Sequence, residues 1–175
     1  MYGFILKKNF CDGWDNLLSV VITNAIWLLS GFGLFLLMMT VIKMVPDEDP
    51  SLLNYILIGS VFVFICVHFS IIGFAYGDTA ASIANFEGIK ILDYFKAIPG
   101  VLKDAIPFGL LVAAIIIISG FGFDFYFLQS QSLVGFFAGG IIFWFDIFCL
   151  LSFQWFLPIR SLMHNSFLKC LKKSF

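Results

Sequence analysis

Apolar residues gather in four long stretches, Leu17 to Ile42, Leu52 to Tyr76, Ala105 to Leu128 and Leu133 to Leu157, with charges confined almost entirely to the segments between them. Each stretch exceeds the roughly 20 residues a helix needs to cross the hydrocarbon core of a bilayer. In lipid, a helix is the spanning form that satisfies its own backbone. The pattern therefore predicts an all-α polytopic membrane protein with four transmembrane helices in a single membrane domain, residues 1–175.

Between the spans the period changes. Leu6, Phe10 and Trp14 recur every fourth residue while Lys8, Asp12 and Asp15 take another face, which predicts an interfacial helix within residues 1–16. In residues 79–104, Ile91, Tyr94, Phe95, Ile98, Val101 and Leu102 form one stripe against Lys90, Asp93, Lys96 and Lys103, with Pro99 and Gly100 expected to kink or divide it. A basic helix is expected over 160–175, with Phe167, Leu168, Leu171 and Phe175 opposite Lys169, Lys172 and Lys173. Such helices serve as membrane anchors or as docking surfaces. The chain also reads as a tandem two-span repeat: Ser30-Gly31-Phe32-Gly33 recurs as Ser119-Gly120-Phe121-Gly122, and the same offset of 89 residues pairs Lys7 with Lys96 and Asp15 with Asp104. Two copies of two spans would share one orientation.

Composition agrees with the spans. At 61% hydrophobic residues, 12% charged residues and a mean hydropathy of +1.03, a 175-residue chain holds more apolar surface than it can bury alone, so lipid must cover the rest. The net charge of −1 gives no sign of a nucleic-acid partner. The positions of the cations say more. Lys7 and Lys8, then Lys90, Lys96 and Lys103, then Arg160, Lys169, Lys172 and Lys173 fall on one side of the four spans, nine of the ten Lys and Arg. Only Lys43 falls on the other, beside the acidic loop Asp47, Glu48 and Asp49, at a helix end where it can snorkel. Because cytoplasmic loops keep the positive charges, both termini are expected on the cytoplasmic side of the membrane. The first apolar run is too long for a cleavable signal. Cys11, Cys66, Cys149 and Cys170 form no CxxC pair and fall at a reducing face or within lipid, so disulfides are not expected.

Three polar residues come out at similar depth. At about 1.5 Å per residue, His68 lies about 24 Å and Asp146 about 20 Å below the outer ends of their spans, and Asn24 about 10 Å above the inner end of its own. Asn24, His68 and Asp146 thus form a candidate intramembrane polar site, because an unpartnered ionised Asp facing lipid is costly. Two readings stay open. His68 and Asp146 trade protonation or hold a polar ligand, or the residues are structural glue, with a protonated Asp bonded across helices. Asp124 falls near the outer end of its span, within reach of solvent. Gln154 precedes Pro158, where it is expected to bond backbone freed by the proline.

Gly73 with Gly77, and Gly135 with Gly139, form GxxxG spacings that let helices approach, either within the chain or in a dimer. Trp27 and Trp144 suit packing positions, and Trp155 suits an aromatic belt. There is no HExxH, P-loop or GxSxG, and Gly120-Phe121-Gly122-Phe123-Asp124 has one residue too many for the GxGD of intramembrane aspartyl proteases. No enzyme, metal or cofactor is expected.

Trp14-Asp15-Asn16-Leu17-Leu18, Asn24, Trp27-Leu28-Leu29, Asp93-Tyr94-Phe95-Lys96, Gln154-Trp155-Phe156-Leu157-Pro158 and Leu171-Lys172-Lys173-Ser174-Phe175 together resemble the YesL-like family of small bacterial membrane proteins. The resemblance spreads loosely over most of the chain. It implies an integral membrane protein whose relatives are often associated with carbohydrate uptake, and it carries over no catalytic or ligand residue. Family members usually continue into a further span after the Lys-Lys-Ser-Phe region, so an end at Phe175 implies a truncated or naturally shorter form. The functional expectation is an accessory or scaffold protein, with lipid and a membrane protein such as a transporter as partners. The alternative is a small transporter or channel that uses Asn24, His68 and Asp146.

Overall fold

The computed structural model describes residue 14 and residues 16–45, 51–85, 88–130, 132–163 and 165–175. Every regular element among them is helical: α1 (Leu17–Lys43), α2 (Leu52–Ala84), α3 (Ile91–Phe123), a π-helical continuation of α3 (Asp124–Gln129), α4 (Leu133–Met163) and the short α5 (Phe167–Ser174). Helices α1, α2, α3 with its continuation, and α4 are long and apolar enough to cross a membrane, and most of their apolar surface faces outward. Leu29, Ile118, Phe121 and Ile141 are each more than two-thirds exposed. Lipid is the environment that makes such exposure favourable. The chain is an all-α, multi-pass membrane protein. The expected interfacial helix over residues 1–16 and the acidic loop Asp47 to Asp49 lie largely or wholly outside the described residues.

Several hydroxyl groups along the spans are satisfied inside their own helices. Thr40 donates to the Leu36 carbonyl, Ser60 to that of Ile56, Ser70 to that of Cys66 and Thr79 to that of Ala75, all at 2.7–3.1 Å. A hydroxyl in hydrocarbon has no water to turn to, so the carbonyl one turn back becomes its acceptor.

Several helices run past their apolar stretches. At about 1.5 Å per residue α2 is about 50 Å long, against a core of ~30 Å. Gly77, Asp78 and Ser82 extend it to Ala84 rather than ending it at Tyr76. Helix α3 runs unbroken through Pro99 and Pro107. Pro99 removes one ladder bond, yet Tyr94, Val101, Ala105 and Phe108 are all buried on one face across it, and that continuous stripe holds the two halves in line. The expected division at Pro99-Gly100 does not occur, and the amphipathic segment continues into the spanning helix as one rod, ahead of the apolar stretch that begins at Ala105. Likewise α4 continues through Pro158 to Met163, so Arg160 belongs to it and only Phe167–Ser174 forms the separate basic helix.

Two compact units compose the chain, Met1–Gly109 and Leu110–Phe175. In the first, α1 meets α2 where Phe69 packs edge-on against Trp27, ring centres 5.7 Å apart, and over Gly31. The α3 backbone meets α2 at Gly109. In the second, the π-helical segment lies on α4. Ser130 and the Tyr126 carbonyl press on Gly135, and a Cβ at Gly139 would stand 2.9 Å from Phe127. The Gly135/Gly139 spacing is filled from within the chain. The two Ser-Gly-Phe-Gly stretches differ in register: Gly31 meets Phe69 in the first, whereas Gly122, not Gly120, meets Ile142 in the second.

Candidate functional site

Asp146 has a partner that the sequence pattern did not single out. Ser119, itself buried, donates from Oγ to Asp146 Oδ1 at 2.6 Å, joining α3 to α4 inside the second unit. The distance is that of an ordinary short O–H···O bond from a hydroxyl to a carboxyl oxygen. One turn further on, the Cys149 thiol is buried and free. Chemically the pair holds two helices together and retains one further carboxyl oxygen for a proton or a polar ligand.

His68 and Asn24 belong to the first unit. The imidazole of His68 sits between Phe64 and Phe69, ring centres 6.2 and 6.3 Å away, and its Nε2 is buried without a hydrogen-bond partner among the described residues. Asn24 is exposed and makes no hydrogen bond among them; the buried polar group at that level is its neighbour Thr23, whose hydroxyl donates to the Ser19 and Val20 carbonyls at 2.8 and 3.0 Å. Asp124 is exposed and accepts from Gln129 Nε2 at 2.6 Å, across the five-residue spacing of the π-helix. Gln154 is exposed and does not reach the backbone near Pro158.

A second polar constellation lies where α2 ends and α3 begins. Ile89 in the connection is held from both sides: its N–H donates to Asn16 Oδ1 at 2.9 Å, and its carbonyl accepts from Ser19 Oγ at 2.8 Å. Beside it opens a shallow crevice of about 190 Å³ lined by Asp78, Thr79, Ser82, Gly88, Ile89, Asp93 and Ala97. Asp93 caps the start of α3, accepting the Lys90 N–H at 3.0 Å and pairing with Lys96 at 3.3 Å. The Lys90 N–H bond, and after it the Lys96 ammonium, hold the Asp93 carboxyl below the usual carboxylate range. This turn precedes the apolar stretch that begins at Ala105 and lies outside the span.

No family model, curated protein or solved structure matches the chain.

Sequence reasoning missed Ser119 because a lone serine in a Gly-rich span carries no signal of its partner. It missed the crevice because Asp78 and Asp93 are 15 residues apart across a turn. A carboxylate placed directly after Gly77, at the end of an apolar run, was the one available clue.

Proposed function

We propose that this chain is an accessory or scaffold protein of the bacterial cytoplasmic membrane, working beside a solute-uptake system, with both termini in the cytoplasm. The observation that carries the reading is the clamped Ile89 connection with the polar crevice next to it. Asn16 and Ser19 fix the backbone of a loop that ordinary solvation would leave free, and the result is a shaped surface at the water-facing end of α2 and α3. The likeness of several short motifs to the YesL-like family supports the same reading and suggests carbohydrate as the solute. Local pairing of Asp146 with Ser119 supports a structural role for that intramembrane carboxyl.

Copurification tests this. Full-length protein extracted in mild detergent retains a transporter component, and Ser82→Trp, which fills the crevice, releases it while the helix content is unchanged. Absence of any retained partner under several detergents removes the proposal.

One observation favours a second reading. The buried Nε2 of His68, without a hydrogen-bond partner among the described residues, is a site that a proton or polar solute would satisfy, as in a small transporter or channel. That reading requires pH-dependent flux in proteoliposomes, lost in His68→Ala.

A further inference from the structure

We infer that α5 is a recognition surface for anionic phospholipid headgroups. The helix is docked, not loose: Phe167 packs on Phe156 of α4 with ring centres 5.4 Å apart, Cys170 is fully buried, and Phe175 stands 5.6 and 5.7 Å from Phe148 and Phe153. These contacts run backwards along α4, so α5 lies antiparallel beside residues 148–156. Phe167, Cys170, Leu171 and Ser174 face α4 at helical spacing, which turns Lys169, Lys172 and Lys173 outward.

Depth decides the occupant. Helix α4 is about 46 Å long at 1.5 Å per residue, about 16 Å more than the ~30 Å core. With Leu133 at one boundary, the other falls near Phe153, in the middle of the stretch that α5 covers. Lys169 stands at that level beside the exposed Trp155 of α4 and Leu168 of α5, and Lys172 and Lys173, nearer the Phe148 end, reach it by extending their long side chains outward. Lys169 and Lys173 are one turn apart and repel each other, and none of the three lysines forms an ion pair among the described residues. A lipid phosphate relieves that repulsion. Selection among lipids follows from charge, because anionic headgroups attract each lysine near the surface and zwitterionic ones do not. The inference does not depend on a protein partner.

The experiment uses the purified full-length chain and fluorescent phosphatidylglycerol or phosphatidylcholine of matched acyl length, with retention measured in detergent at low and high salt. Wild type is expected to prefer phosphatidylglycerol by roughly tenfold to a hundredfold, with the preference falling in high salt. The combined Lys169→Gln, Lys172→Gln and Lys173→Gln variant is expected to lose it, and the corresponding triple Arg variant to keep it. Equal retention of both lipids by wild type, or a preference that survives high salt, overturns the proposal whether or not the Gln variant folds. So does binding of an acidic peptide at these lysines with lipid preference unchanged. Retention of a transporter component is read in a separate assay, so its loss leaves this result intact.

Discussion

Gly109 of α3 rests directly on the backbone of α2 at Val67: a Cβ there would lie 2.6 Å from the Val67 Cα and 3.0 Å from the Cys66 carbonyl oxygen. No side-chain rotation can relieve that overlap, since both neighbours are main chain. Gly109→Ala is expected to lower stability by about 1–3 kcal/mol and Gly109→Val by more. Thermal unfolding in detergent reads the loss, and an unchanged midpoint for Gly109→Val would show that the two helices do not meet here.

Ser119 and Asp146 are expected to couple. Ser119→Ala removes the donor, while Asp146→Asn keeps an acceptor at Oδ1 and should be the milder change. A double-mutant cycle combining Ser119→Ala with Asp146→Ala is expected to give a coupling of about 0.6 kcal/mol, the average for interhelical hydrogen bonds in lipid, and no more than about 1.7 kcal/mol. Additive effects would remove the bond from the account.

The groove at Gly135 and Gly139 is occupied by the chain's own π-helical segment. Gly139→Leu is therefore expected to destabilise the monomer without altering its oligomeric state. Size-exclusion with light scattering, read beside a melting curve, separates the two: a change of mass at constant stability would instead make this face a contact between copies.

Asp93 gives the start of α3 a pH dependence. Its carboxyl is depressed in the folded chain, so its contribution is full above the ordinary carboxylate value of about 3.9 and is lost as pH falls through its lower folded value. Hydrogen exchange is expected to show the amides of Ile91 to Phe95 losing protection over that acidic window in wild type, and in Asp93→Ala to show reduced protection at neutral pH. Equal protection in the two proteins at pH 7 would refute the cap.

Legibility from sequence varied with the kind of physics involved. Apolar runs located all four spans, and the end of α1 at Lys43 matched the expected Ile42 within one residue because a charge closes that run. The C-terminal end of α2 was misplaced by eight residues, since hydropathy reports where lipid ends and not where backbone hydrogen bonding ends. Pro99 misled for a related reason: its local cost is visible in sequence, whereas the buried stripe through Tyr94, Val101 and Ala105 that offsets it is tertiary. Of the polar residues singled out, Asp146 was expected to partner His68, whereas the hydrogen bond it makes comes from a serine 27 positions earlier. The π-helical turn left only a faint trace in the five-residue spacing of Asp124 and Gln129.

The habit of tying hydroxyls to carbonyls in the same helix bears on how the protein is made. Thr40, Ser60 and Ser70 bring α1 and α2 to the bilayer with those demands already met, so each can leave the translocation machinery without waiting for a neighbour. Asp146 cannot, because its acceptor needs Ser119 from the preceding helix. During biogenesis the last two spans should thus enter as one hairpin, the serine already in place when the carboxyl arrives.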